Sequence, residues 1–302
     1  MRRRGVSQRF PLRARSLGRL RAPRFLLPLR GALALLALGV LAATIFWLQI
    51  PDVSILRDQY PVVIAAAKKG VPPTIRIQKK RPASWVSLGS ISQQAVGAIL
   101  VSEDWAFYSH EGFDTNQIIE AAKEDWDKGH FKRGASTITQ QVVRNVFLEK
   151  EKTLWRKLKE IVLAVRLERS LSKRRILEIY LNVAEWGRGF HGIKAASAIY
   201  FDKAPRDLNA REGAFLAMLL PSPKRYSQSF RDRQLTRYAR RTINSILDKM
   251  VQARYLSADD RDFEKIRRLA FEETDTIRDE PSSDESPAED PAEDNEDLLP
   301  ST

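Results

Sequence analysis

Gly31 to Ile50 is a run of twenty residues without a charge, ending in Phe46, Trp47 and Leu48. As a helix it would be about 30 Å long, the thickness of a bilayer's hydrocarbon core. The run is longer than the roughly 7–15 apolar residues of a cleaved signal peptide. An uncleaved single-pass anchor is therefore expected, with a cleaved signal as the alternative. Trp47 fits an interfacial anchor, and the arginine-rich flank before the run belongs on the cytoplasmic side. The bulk of the chain is then expected outside the cytoplasm.

The formal charge of +13 is unevenly spread. Residues 1–30 carry ten arginines and no acid, and residues 272–302 carry thirteen Asp and Glu against Arg278 alone. These ends contribute +10 and −12, which leaves +15 on residues 31–271. A region basic in its own right favours an anionic partner. The acidic segment is nearly free of aromatics and is expected to be disordered. With no cysteine in the chain, thiol redox and thiolate–metal chemistry are excluded, and an exported domain must be held by its apolar core. His110, His130 and His191 are dispersed without ligand spacing, so a zinc site is not expected.

The expected division is a basic cytoplasmic segment (1–30), an anchor (31–50), a connector and jaw (51–90), a helical domain (91–254), an extension (255–271) and the acidic tail (272–302). Pro72, Pro73 and Pro82 break any long helix in the connector. From residue 91 onward the apolar spacing is helical. Ser92 caps a helix with Ala95, Val96, Ile99 and Leu100 on one stripe, and Glu103 falls on that stripe. Two readings of Glu103 stand side by side: a partly desolvated carboxylate with a raised pKa, or a frayed helix end in water.

Thr137 and Gln140 are spaced as a capping box opening a helix that carries Gln141, Arg144 and Asn145. Gly134 permits close backbone approach before it, and exposed amides at such a start attract anions. Thr153 opens a further helix whose apolar residues are Leu154, Leu158, Ile161, Val162 and Val165. Glu160 falls on another face, one turn after Arg156 and Lys157, where an ordinary surface ion pair is the bland alternative. Ser172 caps a helix with Ile176, Leu177, Tyr180 and Leu181 buried. Gly187, Gly189 and Gly192 mark a flexible loop before a helix from Ala195 to Phe201.

These segments together resemble the monofunctional biosynthetic peptidoglycan transglycosylases of glycosyltransferase family 51. The likeness covers roughly residues 85–230. It rests on Glu103-Asp104, Phe107, His110 and Gly112; on Gly134 to Asn145; and on Arg156-Lys157 with Glu160. It continues through Ser172 to Asn182, Ala184-Glu185-Trp186-Gly187, and Gly192 to Phe201. The resemblance implies a mainly α, lysozyme-like helical domain with a smaller membrane-associated jaw, behind one N-terminal transmembrane helix. It implies lipid II and the growing glycan strand as substrates, with undecaprenyl pyrophosphate released.

On that basis Glu103 and Glu160 are the expected catalytic residues. Glu103 takes the proton from the acceptor 4-hydroxyl, inversion follows at the donor anomeric carbon, and Glu160 positions the reacting groups. Asp104, Ser136, Thr137, Gln140, Gln141, Arg144, Asn145, Arg156 and Lys157 are expected to bind substrate. His110 and Phe107 shape the first motif. No organic cofactor is implied, and a divalent cation, magnesium or manganese, is the one inorganic candidate. The implied setting is the bacterial inner membrane, N-terminus cytoplasmic and catalytic domain periplasmic, beside division or elongation proteins.

Two departures from the family pattern stand out: Arg144 replaces the usual lysine, and Asp202 replaces a glycine after Tyr200-Phe201. A lytic hydrolase, which may share the fold, has no need of diphosphate-binding cations or an anchor. Ser170-Leu171-Ser172-Lys173 matches the Ser-x-x-Lys pattern of a peptide-crosslinking domain, but no Lys-Thr-Gly or Ser-x-Asn follows, and the length leaves no room for one. A non-catalytic scaffold would be expected to lose the glutamates. Export argues against a nucleic-acid partner.

Overall fold

A computed structural model of the chain describes residues 29–64, 73–115, 119, 136–148 and 153–273. The basic segment 1–28, His130, Gly134 and the acidic residues beyond Glu273 lie outside the described residues. Two compact units are distinguished, Met1–Pro51 and Asp52–Thr302. The first contains helix α1 (Leu29–Leu48), twenty residues long. Its leucines point outward, Leu33 to Leu41 each more than half exposed. The most apolar window has a mean hydropathy of 2.3, so the helix is long and apolar enough to cross a membrane.

The second unit opens with a short 3-10 helix, Val53–Arg57, followed by an antiparallel pair, β1 (Tyr60–Ile64) against β2 (Thr74–Gln78), in register Tyr60 to Gln78. The sequence reading placed a connector and jaw here, without strands. Arg175 ties this region to the helical body. Its guanidinium donates to the carbonyls of Leu56 (3.1 Å) and Gln59 (2.8 Å) and to Glu178 (2.7 Å). It also lies over the rings of Tyr60 and Trp85. Glu178 in turn accepts from Trp85 Nε1 and Leu88 N, and Asn182 brackets the backbone of Val86. Arg175→Ala removes three charge-assisted or carbonyl hydrogen bonds at once and is expected to lower unfolding free energy by about 2–3 kcal/mol. A denaturant titration checks this; a loss below about 0.5 kcal/mol would mean that the clamp is solvated and idle.

The helices that follow are α2 (Gln93–Glu103), α3 (Ile138–Phe147), α4 (Leu154–Ser170), α5 (Lys173–Val183), α6 (Ile193–Phe201) and α7 (Ala210–Leu219). Short helices α8 (Pro223–Tyr226) and α9 (Gln228–Arg231) lead into α10 (Arg237–Gln252) and α11 (Ala258–Ile266). Every residue of α7 is buried, which makes it the central helix. It packs against α2 and α10. Gly213 is required at the α2 contact, since a Cβ there would stand 2.6 Å from the Cα of Ala95. α10 contributes Ile243, Ile246, Leu247 and Met250 to the same core. A second cluster sets α3 against both α4 and α5.

Most helix starts follow the sequence. Ser92, Thr137, Thr153 and Ser172 are N-caps, and Thr137 with Gln140 completes a capping box. Ile176, Leu177, Tyr180 and Leu181 are all fully buried. Two expectations need correction, and one departure from the family pattern finds its explanation. The buried side of α4 is Glu160, Leu163, Ala164 and Leu167, while Leu154, Leu158 and Ile161 are exposed. The stretch around Gly187 and Gly189 is a tight hairpin, β3 (Glu185–Gly187) against β4 (Phe190–His191), and not an open loop. Finally, Asp202 takes the left-handed position after α6 (φ 53°) that a glycine usually fills, a conformation short polar side chains tolerate.

Candidate active site

Glu103 is the last residue of α2, where the helix stops and the backbone turns at Asp104. It is half-buried. Its Oε2 accepts from Gln141 Nε2 at 2.9 Å and from the Tyr180 hydroxyl at 3.4 Å. Burial raises its pKa above the ordinary 4.5; the bonds from Gln141 and Tyr180 and the charge of Arg144 oppose this, and Asp104 adds to it. Of the two readings of this residue, the desolvated carboxylate is the one that holds. Tyr180 links the pair, its hydroxyl lying 3.3 Å from Gln141 Oε1, and burial raises its own pKa well above 10.0.

Asp104 is turned the other way. It is 1% exposed, and its carboxylate accepts from Ile138 N at 2.8 Å and meets His110 Nε2 at 3.0 Å. Gly112 N donates to His110 Nδ1 at 3.1 Å. A backbone amide can only donate, so Nδ1 is the acceptor and the ring proton sits on Nε2, facing Asp104. Gly112 itself has φ +100°, and a Cβ on it would press on the Ala164 backbone of α4 at 3.0 Å. Thr137 donates to the Gly112 carbonyl at 2.7 Å. Lys173 lies over the Phe107 ring and donates to the His110 carbonyl and to Glu168, which also accepts from Thr139. The first motif is thereby bound to α3, α4 and α5 at once.

The start of α3 is not the open anion site expected. Ile138 N is taken by Asp104, Gln140 N by Thr137, and Thr137 N by Gln140 Oε1. Thr137 and Gln140 are themselves buried. Ser136, Gln141, Arg144 and Asn145 remain at least partly exposed. Gln141, Arg144 and Asn145, three and four residues apart, share one side of α3.

Glu160 is fully buried on α4. Arg156 Nη1 donates to its Oε2 at 2.8 Å and Lys157 Nζ to its Oε1 at 2.6 Å. This is not a surface pair; a buried carboxylate is matched by two cations, leaving one positive charge in excess. Lys157 Nζ also reaches Ser136 Oγ at 3.5 Å. Glu103 therefore meets α3 at Gln141, and the Glu160 cluster meets Ser136, the residue before the N-cap of α3. The two carboxylates thus reach the first turns of α3 and the residue leading into it, and Arg144 follows three residues after Gln141, on the same side of the helix. Sequence reasoning missed Tyr180 as part of this arrangement. The signal was a hydroxyl in an otherwise aliphatic stripe, since a buried tyrosine O–H finds a partner.

The helical body thus holds a desolvated carboxylate against the early part of α3 and, beside the residue that leads into that helix, a buried carboxylate matched by two cations, an arrangement compatible with a glycosyltransferase. The model of the transglycosylase family matches residues 72–251. The chain is 44% identical over 156 residues to a biosynthetic peptidoglycan transglycosylase of Methylobacillus flagellatus, covering 52% of this chain and 68% of that protein. It is 38% identical over 210 residues to one of Chromobacterium violaceum, covering 68% and 87%. It is also 34% identical over 232 residues to penicillin-binding protein 1A of Aquifex aeolicus, covering 75% of this chain and 31% of that longer protein. The chain belongs to the transglycosylase family: it is a glycosyltransferase of peptidoglycan synthesis with a lysozyme-like helical domain.

Proposed function

We propose that the enzyme polymerises lipid II into glycan strands, with Glu103 as the general base. The observation that supports this most directly is the raised pKa of a carboxylate held by Gln141 and Tyr180 beside Arg144. A base with its affinity for protons increased by burial is suited to take the proton of the acceptor 4-hydroxyl. That hydroxyl attacks the donor anomeric carbon from the face opposite the diphosphate, and configuration inverts. The proton passes to Glu103 and the electron pair of the broken C–O bond leaves with undecaprenyl pyrophosphate.

Arg144, Arg156 and Lys157 supply the positive charge that the departing diphosphate needs. Arg156 spends only Nη1 on Glu160, and its Nε is buried without a partner. Its remaining donors suit a phosphate oxygen. Glu160 holds both cations in place and limits their mutual repulsion. Ser136, Gln141 and Asn145 complete the accessible polar surface for the donor, while Asp104, Thr137 and Gln140 act through the shape of the loop and of α3.

A resident divalent cation does not fit these residues. No three His, Asp or Glu converge among the described residues, and both oxygens of Glu160 are engaged by nitrogen. No step above uses one. The arginine-rich segment 1–30 supports an inner-membrane anchor with the N-terminus cytoplasmic and the catalytic unit periplasmic.

Incubation of the purified enzyme with lipid II and, separately, with preformed glycan tests the reading; consumption of the glycan alone would sink it. Tyr180→Phe gives a finer check. The hydroxyl lowers the Glu103 pKa, so its loss is expected to move the acid limb of the pH–rate profile upward while folding is retained. An unmoved limb would detach Tyr180 from the base.

A further inference from the structure

A second concentration of positive charge shares no residue with the site above. A cavity of about 300 Å³ lies among α7, the start of α10 and the segment after α11. Arg211, Arg233, Arg240, Lys265, Arg267 and Arg268 line it, against Glu272 and Glu273. Local pairs account for part of this charge: Lys265 with Asp248 at 2.7 Å and Arg267 with Glu264 at 3.2 Å.

Arg211 is different. It is 4% exposed, on the central helix, and its guanidinium is held only through Nη1, which donates to the carbonyls of Glu264 (3.0 Å) and Lys265 (3.1 Å). Its Nε is buried with no hydrogen-bond partner, and so is Oδ1 of Asn244, which lines the same cavity. Burial pushes the Arg211 pKa down; Glu272 and Glu264 oppose this, and Arg240 adds to it. Arg233 and Arg240 are exposed at the rim, and among the described residues neither has a carboxylate within ion-pair distance. An unspent buried donor such as Arg211 Nε costs free energy that an acceptor would recover, whereas Asn244 Oδ1 is itself an acceptor and calls for a donor. Arginine forks at this density match carboxylates.

The chain carries the complementary charge close by. Glu273 N donates to the carbonyl of Arg233 at 3.0 Å, so the backbone leaves from the cavity's edge. Residues 274–302, which follow directly, carry eleven Asp and Glu and one arginine, a net −10. So short a tether puts those carboxylates at about millimolar effective concentration. A polyanion poor in apolar residues is recognised by charge and needs no folded shape. We propose that this cavity is the docking site of the chain's own acidic segment, residues 274–302, whose carboxylates engage Arg211, Arg233 and Arg240. Docking would offset much of the +15 on residues 31–271.

The test uses full-length protein and a labelled synthetic peptide of residues 274–302 at low salt. A variant with every Asp and Glu from 275 to 297 replaced by Asn or Gln leaves the cavity vacant. It is expected to bind the peptide at least about tenfold more tightly than the wild type, whose cavity is filled in cis. Adding Arg233→Glu and Arg240→Glu, both exposed, is expected to weaken binding by about tenfold or more without moving the thermal midpoint. Equal binding to wild type and neutralised variant, or undiminished binding after charge reversal, overturns the proposal. A third arm titrates inorganic phosphate. Equal phosphate binding by wild type and neutralised variant would make the cavity an open small-anion site, and that result also overturns it.

Discussion

Glu103→Gln is expected to lower the rate of glycan polymerisation by about 10²–10⁴-fold, the range supplied by a positioned general base, while making the folded protein more stable at neutral pH. Glutamine keeps an oxygen for Gln141 and Tyr180 but accepts no proton. The stability gain follows from the sign of the pKa shift. Burial raises the Glu103 pKa in the folded state above its ordinary 4.5. Such a group favours folding fully at pH below the unfolded value, and that contribution is lost as pH rises through the folded one. At neutral pH the wild type therefore carries an ionised carboxylate that burial disfavours, and the variant does not. Below pH 4.5 the two converge. Polymerisation rates combined with unfolding curves at neutral and acid pH make the check. Retained activity would remove Glu103 as base, and a variant less stable at neutral pH would contradict the desolvated environment.

Glu160→Gln is expected to act chiefly on stability, at a cost of about 3–5 kcal/mol, because breaking a buried pair leaves its partners uncompensated. Here the partners are two cations, Arg156 and Lys157, bound at 2.8 and 2.6 Å to a carboxylate with no solvent exposure. The surface ion pair that the sequence alone allows for Arg156 would predict that Arg156→Ala harms donor use more than folding. With its side chain only 19% exposed and one end fixed on a buried carboxylate, both should suffer. A double variant, Glu160→Gln with Arg156→Gln, should recover part of the lost stability by removing one unmatched charge. Denaturant unfolding of the set decides it. Purely additive losses would mean that Arg156 and Glu160 are not coupled.

Much of the architecture was legible because it rests on local chemistry. Cap residues name their helices, and Thr137 with Gln140 is readable as a box from spacing alone. The aliphatic stripe of α5 could be read the same way. The site was legible mainly through the ordered likeness of its motifs, since single residues are ambiguous. Where reading failed, long-range geometry decided. Nothing near Glu160 in sequence says that α3 will cover it, so periodicity assigned the wrong side of α4 to the core. The amides of α3 looked open because Asp104, thirty-four positions away, was not known to reach Ile138. The β1–β2 pair was invisible in a segment broken by prolines, and depends on Arg175 more than a hundred residues later.

The first two turns of α4 bury a charged residue, Glu160, and leave large apolar ones outside: Leu154 is 91% exposed, Leu158 47% and Trp155 44%. The later turns bury Leu163 and Leu167 in the usual way, so the exposed apolar surface is confined to the helix start, where a patch of this kind suits contact with an oily phase. Cutting away residues 1–50 is accordingly not expected to yield a free-swimming enzyme. The truncated protein should still cling to detergent micelles, because its greasy flank belongs to the catalytic body itself.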